Sequence, residues 1–177
     1  MDSSSLKTTI HGTLLNVGGI GVLITGESGV GKSACALDLI DKGRRLIADD
    51  VVEIERIGDE IFGSPPARFS GLLEVRGLGI IDVRQVFGDN LFEPQHSVEL
   101  CVEFQNATTV RDVGSLNTDL PQFELLGIKI PKFVVPVEQR CSLRVIVETA
   151  VKMFKTGNHN ENDSLVAAHD ALMAAGG

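Results

Sequence analysis

Residues Gly26–Ser33 read GESGVGKS, the spacing GxxxxGK[ST] of loops that wrap a phosphate chain. Gly26, Gly29 and Gly31 permit backbone conformations closed to residues with a side chain. Successive N–H groups, those of Glu27, Ser28 and Val30 included, can then turn inward onto phosphate oxygens. A helix opening at Lys32 would add the positive end of its dipole. Lys32 is expected to reach the β- and γ-phosphates of a nucleotide, and Ser33 to offer its hydroxyl to Mg2+. The structural alternative is a Gly-rich turn leading into a helix. Further on, Asp49-Asp50 bring two carboxylates together. One could orient Mg2+ directly or through water, and the other could take the proton of an attacking hydroxyl. Close to a polyphosphate they oppose each other's ionisation, which favours proton uptake by one of them. Otherwise the pair simply opens a surface turn. Glu74 and Arg76 stand in an apolar, Gly-rich segment, where charged residues are paired with each other or engaged by a ligand. His11, in front of Gly12, is open to a structural or a catalytic role, whereas His96, His159 and His169 have no partner spacing and receive none.

The chemistry depends on what carries these residues. Thr13–Val17 and Gly21–Thr25, on either side of Gly18-Gly19, predict a hairpin whose second strand is buried on both faces and runs into the glycine loop. Ala36, Leu37, Leu39 and Ile40 recur at helical spacing after Lys32, with Gly43 where a C-terminal cap belongs. If GVLIT, this helix and Leu46-Ile47-Ala48 form a right-handed βαβ unit, both strands end on one edge of the sheet and Asp49-Asp50 arrive beside the phosphates. Val51–Ile57 and Glu60–Phe62 predict an antiparallel hairpin around Gly58-Asp59. Ser64–Gly71 is a loop by composition, and Leu72–Val83 short strand pieces around an ordered turn. Ser97–Phe104 alternates as a strand. Lys129–Val137 is another, with Pro131 and Pro136 pointing to an edge position or to strand ends. Leu143–Phe154 predicts a helix with Val147, Ala150, Val151 and Phe154 on one face, and Gly157–Asp163 a loop before a last short helix.

With 177 residues, 43% of them hydrophobic and 23% charged, the chain suits one folded domain spanning residues 1–177. Its net charge of −8 argues against bulk binding to a nucleic-acid backbone. No apolar run is long enough to span a bilayer, and the N-terminus lacks the regions of a signal peptide. Cys35, Cys101 and Cys141 form no CxxC pair, which fits a reducing cytoplasm.

Ile10–Gly12 (IHG), Gly21–Ser33 (GVLITGESGVGKS), the stretch ALDLIDKGRRLIADD ending at Asp50, and Leu72–Val83 (LLEVRGLGIIDV) together resemble the catalytic domain of HPr kinase/phosphorylase. LLGIKIPKFVVPV and LRVIVETAVKMF are similar to it in pattern. The resemblance implies an α/β, P-loop-containing mixed sheet related to phosphoenolpyruvate carboxykinase, usually assembled as a hexamer. It implies an enzyme that uses ATP and Mg2+ to phosphorylate a regulatory serine of the phosphocarrier HPr. The reverse reaction is phosphorolysis by inorganic phosphate, which releases pyrophosphate. Full-length members carry an additional N-terminal domain, which this chain, beginning close to the catalytic domain, is expected to lack.

By position, Lys32 resembles the catalytic lysine of that family, and Ser33 with Glu74 its Mg2+ ligands. Asp50 corresponds to the base of phosphorylation and acid of dephosphorylation, and His11 to an active-site histidine. A family arginine in a DRLG-like context meets VRDVG here, with Asp112 at the aligned position and Arg111 as the nearby candidate. The family's PVxPGRN becomes PVEQRCS at Pro136–Ser142, so that Cys141 replaces its arginine unless a gap brings in Arg140. Losing a positive charge there weakens capture of inorganic phosphate more than binding of ATP. The alternatives are a P-loop kinase of a small molecule, and a regulatory module that senses nucleotide without transferring phosphate.

Overall fold

The apolar stretch Gly21–Thr25 lies inside a six-stranded sheet of the computed structural model, as a strand covered on both faces must. Residues 5–107, 120–138, 141–157 and 171–175 are described. Leu6–His11 (β1) is followed by Thr13–Val17 (β2) and Ile20–Gly26 (β3), the last two paired antiparallel as the Gly18-Gly19 turn predicts. Lys32–Asp41 (α1) leads to Arg45–Ala48 (β4), and Val51–Ile57 (β5) and Glu60–Ser64 (β6) form the second expected hairpin. Leu72–Val75 (β7) and Gly79–Asp82 (β8) pair antiparallel before the short helix Val83–Phe87 (α2). His96–Ser97 (β9), Leu100–Asn106 (β10), Gln122–Leu125 (β11), Ile128–Val137 (β12) and Leu143–Thr156 (α3) follow, and residues 171–175 are helical.

The large sheet has the order β11-β12-β10-β3-β2-β4, and the smaller one β1-β5-β6-β9. Their packing follows from alternation along the strands. Leu15, Val17, Val22, Ile24, Val102 and Phe104 face one way and pack with Leu39 and Ile40 of α1 and Val147 and Val151 of α3. Leu14, Leu23 and Cys101 face the other way and meet Val52, Ile54 and Ile61 of the small sheet. The result is three layers, with the large sheet in the middle.

The expected relation of β3 to β4 holds in direction and differs in adjacency. β2 stands between them and pairs antiparallel with both, so β3 and β4 run the same way without touching through a ladder. β10 and β12 also run parallel to β3. The C-terminal ends of β3, β4 and β10 therefore share one edge with the start of β2.

The proline reading is corrected in part. β12 is not the outermost strand, but β11 covers it only as far as Pro131, and its ladder with β10 begins at Lys132. Each half thus has one uncovered side, which is what a residue without an N–H needs. Pro136 lies at the strand's end, as expected.

Two crossings between the sheets decide the geometry of the shared edge. The chain passes from β1 to β2 at Gly12, and from β4 to β5 at Asp49-Asp50. The Gly12 N–H donates to the Asp50 carbonyl at 3.1 Å, which ties the crossings side by side. A Cβ at Gly12 would come within 2.8 Å of the Ile24 carbonyl oxygen, so only glycine lets the chain cross there.

Candidate active site

The glycine loop leaves β3 at Gly26, whose φ of 139° is closed to other residues and whose Cβ would meet the Phe104 carbonyl oxygen of β10 at 2.4 Å. Gly29 and Gly31 also have positive φ. Gly31 precedes α1, and no side chain caps that helix, so its first N–H groups remain available to an anion at the mouth of the loop. The side chain of Lys32 lies inside the loop. Its ammonium group donates to the carbonyls of Gly26 at 2.8 Å and Glu27 at 2.9 Å. Burial pulls the pKa of Lys32 below its ordinary value, while Asp49 and Asp50 act in the opposite direction. An incoming phosphate chain would supply the negative charge that this partly desolvated cation lacks.

The neighbouring aspartates have separate partners. Asp49 is buried and accepts hydrogen bonds from the Ser33 hydroxyl, 3.0 Å from each carboxylate oxygen, and from the Thr13 hydroxyl at 2.8 Å. Asp50 is exposed, and its Oδ1 lies 3.2 Å from Nδ1 of His11. The turn between them is tight, with the Val51 N–H donating to the Asp49 carbonyl and Asp50 at φ 66°. Holding a residue with a side chain in this left-handed region costs about 1–2 kcal/mol, although aspartate tolerates it better than most. The strain turns successive carboxylates in different directions, one into the sheet edge and one toward solvent.

The structure thus brings the glycine loop, Lys32, Ser33, Asp49, Asp50 and His11 to one edge. Glu74 sits exposed on β7, a strand packed against α1, and forms no ion pair with Arg76. The expectation of a structural Glu74–Arg76 pair is therefore not met, and both side chains remain exposed to solvent. Arg111, Asp112 and Arg140 lie outside the described residues, as do His159 and His169. His96, which received no role, bonds Glu93 through Nδ1 at 2.8 Å beside the β2–β3 turn, at the opposite end of β3 from the loop. Burial pushes the thiol of Cys35 up to about 12 and that of Cys101 to about 11, so neither is a nucleophile at neutral pH.

Sequence reasoning missed Thr13, a lone hydroxyl at the start of an apolar strand with no motif to mark it. Residue types alone also left open which aspartate takes which task; the resemblance gave the proton transfer to Asp50 and said nothing of the partners of Asp49. Among the described residues no three His, Cys, Asp or Glu side chains gather to hold a metal. A hydroxyl backed by one carboxylate fits Mg2+ all the same, because that ion keeps several waters and takes its remaining oxygens from substrate phosphates.

Beside β3, Lys132 of β12 donates to Glu103 of β10 at 2.7 Å across their parallel ladder, with both side chains mostly covered. This hydrogen bond, against the effect of burial, holds the Glu103 carboxyl below its ordinary range. A carboxyl lowered in the folded state contributes stability above its unfolded pKa of about 4.3, and that contribution disappears as pH falls through the folded value. Lys132→Met is expected to cost about 1–2 kcal/mol at neutral pH. Urea denaturation of both proteins checks this: the difference should shrink in acid below the unfolded value.

The HPr Serine kinase C-terminal domain family matches residues 2–169. HPr kinase/phosphorylase of Clostridium botulinum (strain Eklund 17B / Type B) is 41% identical over 154 residues, covering 87% of this chain and 51% of the relative. That of Clostridium tetani is 39% identical over 167 residues, covering 94% of this chain and 54% of the relative. The chain thus spans about half the length of the curated relatives it matches. Among solved structures, the Hpr(Ser) kinase/phosphatase from Coxiella burnetii superposes with a TM-score of 0.80 at 32% identity, covering 89% of this chain and 96% of that one. The family match runs through both sheets and the glycine loop, and the chain belongs to the HPr Serine kinase C-terminal domain family.

Proposed function

We propose that the chain transfers the γ-phosphoryl group of ATP to a serine of the phosphocarrier HPr, with Mg2+ as cofactor. One observation carries the reading: Lys32 inside the glycine loop and the Asp50–His11 pair lie at the same sheet edge. The amides of Gly26–Ser33 and the Lys32 ammonium bind the phosphate chain and compensate its charge. Ser33, backed by Asp49, is the first candidate to hold the cation, and Glu74 a second by family resemblance. When bound, Mg2+ neutralises charge on the transferred group.

Asp50 takes the proton of the acceptor serine as its oxygen bonds to phosphorus and the bond to the leaving ADP oxygen breaks. His11 orients that carboxylate. In the reverse direction an oxygen of inorganic phosphate bonds to the phosphorus of the seryl phosphate as the bond from that phosphorus to the serine oxygen breaks; Asp50 returns the proton to the serine oxygen, and the pyrophosphate formed is released. Arg111 is proposed for the active site on resemblance alone. The same resemblance supports kinship with phosphoenolpyruvate carboxykinase, hexameric assembly and a cytoplasmic location. Among the described residues no helix is long and apolar enough to cross a membrane.

Single-turnover incubation with labelled ATP and purified HPr tests the function. Label on an HPr serine is the expected result. Nucleotide binding with no labelled HPr would instead favour a sensing module or a kinase of a small molecule. PVEQRCS, where Cys141 replaces the family arginine unless a gap brings in Arg140, leads to a further expectation. Phosphorolysis of seryl-phosphorylated HPr should be slow relative to phosphorylation, which rates measured in both directions on the same preparation would decide.

A further inference from the structure

Each crossing of the chain between the sheets presents a pair of side chains, and the pairs match. His11 meets Asp50 on the outer side of Gly12, and Thr13 meets Asp49 on the inner side. The inner pair is covered, with Thr13 fully buried and Asp49 8% exposed. The Thr13 hydroxyl gives its proton to Oδ1 of Asp49 at 2.8 Å, and Ser33 Oγ stands 3.0 Å from both oxygens of the same carboxylate. A serine hydroxyl has one proton to give. While that proton goes to Asp49, the lone pairs of Ser33 Oγ are directed away from the carboxylate.

We propose that Thr13 is a positioning residue for the cation. By holding Oδ1 of Asp49, it sets the plane of the carboxylate that takes the Ser33 proton, and so aims the lone pairs of Ser33. Thr13 suits the task because its branched Cβ restricts χ1 on a strand, and because a buried carboxylate without this donor would turn to find another. The inference rests on the function proposed above and assigns a task to a residue that the glycine-loop motif does not contain.

The test reads binding apart from turnover. A fluorescent ATP analogue is titrated onto the whole chain at increasing Mg2+, and the half-saturating Mg2+ concentration is measured for the wild type, Thr13→Val and Thr13→Ser. Valine keeps the volume and removes the donor, and it should raise that concentration roughly 10-fold or more, the usual cost of losing a partner behind a metal ligand. Analogue affinity without Mg2+ should stay the same. Serine, which restores the donor, should restore the wild-type value. Should the valine variant fail to fold, Thr13→Cys, of similar volume and with only a weak donor, is read in its place.

A wild-type Mg2+ requirement in the valine or cysteine variant overturns the inference and leaves the proposed function standing. The same holds if the serine variant is as impaired as valine, since lost packing would then be the cause. Binding by the wild type that ignores Mg2+ overturns both.

Discussion

Lys32→Ala is expected to abolish detectable phosphoryl transfer while leaving the fold intact. Among the described residues Lys32 donates only to the carbonyls of Gly26 and Glu27, both in its own loop, and no strand or helix packs through its ammonium group. What the variant loses is the cation facing the phosphates, where removing one preorganised donor alone costs about 10²- to 10³-fold in rate. Its melting transition should match that of the wild type, because the lost hydrogen bonds are local and burial already opposes the charged amine. Labelled ATP with HPr as acceptor, followed beside a thermal melt, checks both halves. Undiminished transfer by a folded variant would remove Lys32 from the reaction.

Asp50→Asn should slow the chemical step by about 10²- to 10⁴-fold, the range for a lost general base. Nucleotide affinity should change little, because the Asp50 carboxylate faces His11 and solvent while Ser33 bonds to Asp49. Asparagine is the informative replacement. It tolerates the left-handed backbone at φ 66° as aspartate does, and its amide can still bond His11. The tight turn to Val51 therefore survives, and a change in rate reports on the proton acceptor. Single-turnover rates set against equilibrium binding of ATP separate the two effects. An affinity that falls in step with the rate would place Asp50 in nucleotide binding.

Much of this site was legible in local sequence. GESGVGKS has the same meaning wherever a buried strand precedes it and a helix follows, because the backbone freedom of glycine and the start of a helix act within a few residues. The strands of both predicted hairpins, the start of α1 and the apolar face of α3 come from patterns equally local. The parallel direction of β3 and β4 was also within reach, since one helix joins them.

The strand between them was not. β2 precedes β3 in the chain and occupies the place a simple βαβ unit leaves to β4, a choice made by side chains far apart in sequence. Pro131 of β12 misled for a related reason. An edge is a property of each half of the strand, and it depends on where β11 ends and β10 begins. Glu74 and Arg76 looked like a pair because the composition around them is apolar, yet they stand on an exposed hairpin where neither needs the other.

The sequence by itself determined that a glycine loop of the phosphate-binding pattern joins a strand to a helix, which residues line it, and that two acids follow the next strand. Only the tertiary structure gave those acids different partners. Asp49 and Asp50 are one chemical type at adjacent positions, so no pattern of residue types can tell them apart. What separates them is the left-handed turn at Asp50 and the crossing at Gly12, which set Thr13 and Ser33 against one carboxylate and His11 against the other. Hydrogen bonds between residues 36 and 16 positions apart, at 2.8 and 3.0 Å, exist only once β2, β4 and α1 have come together.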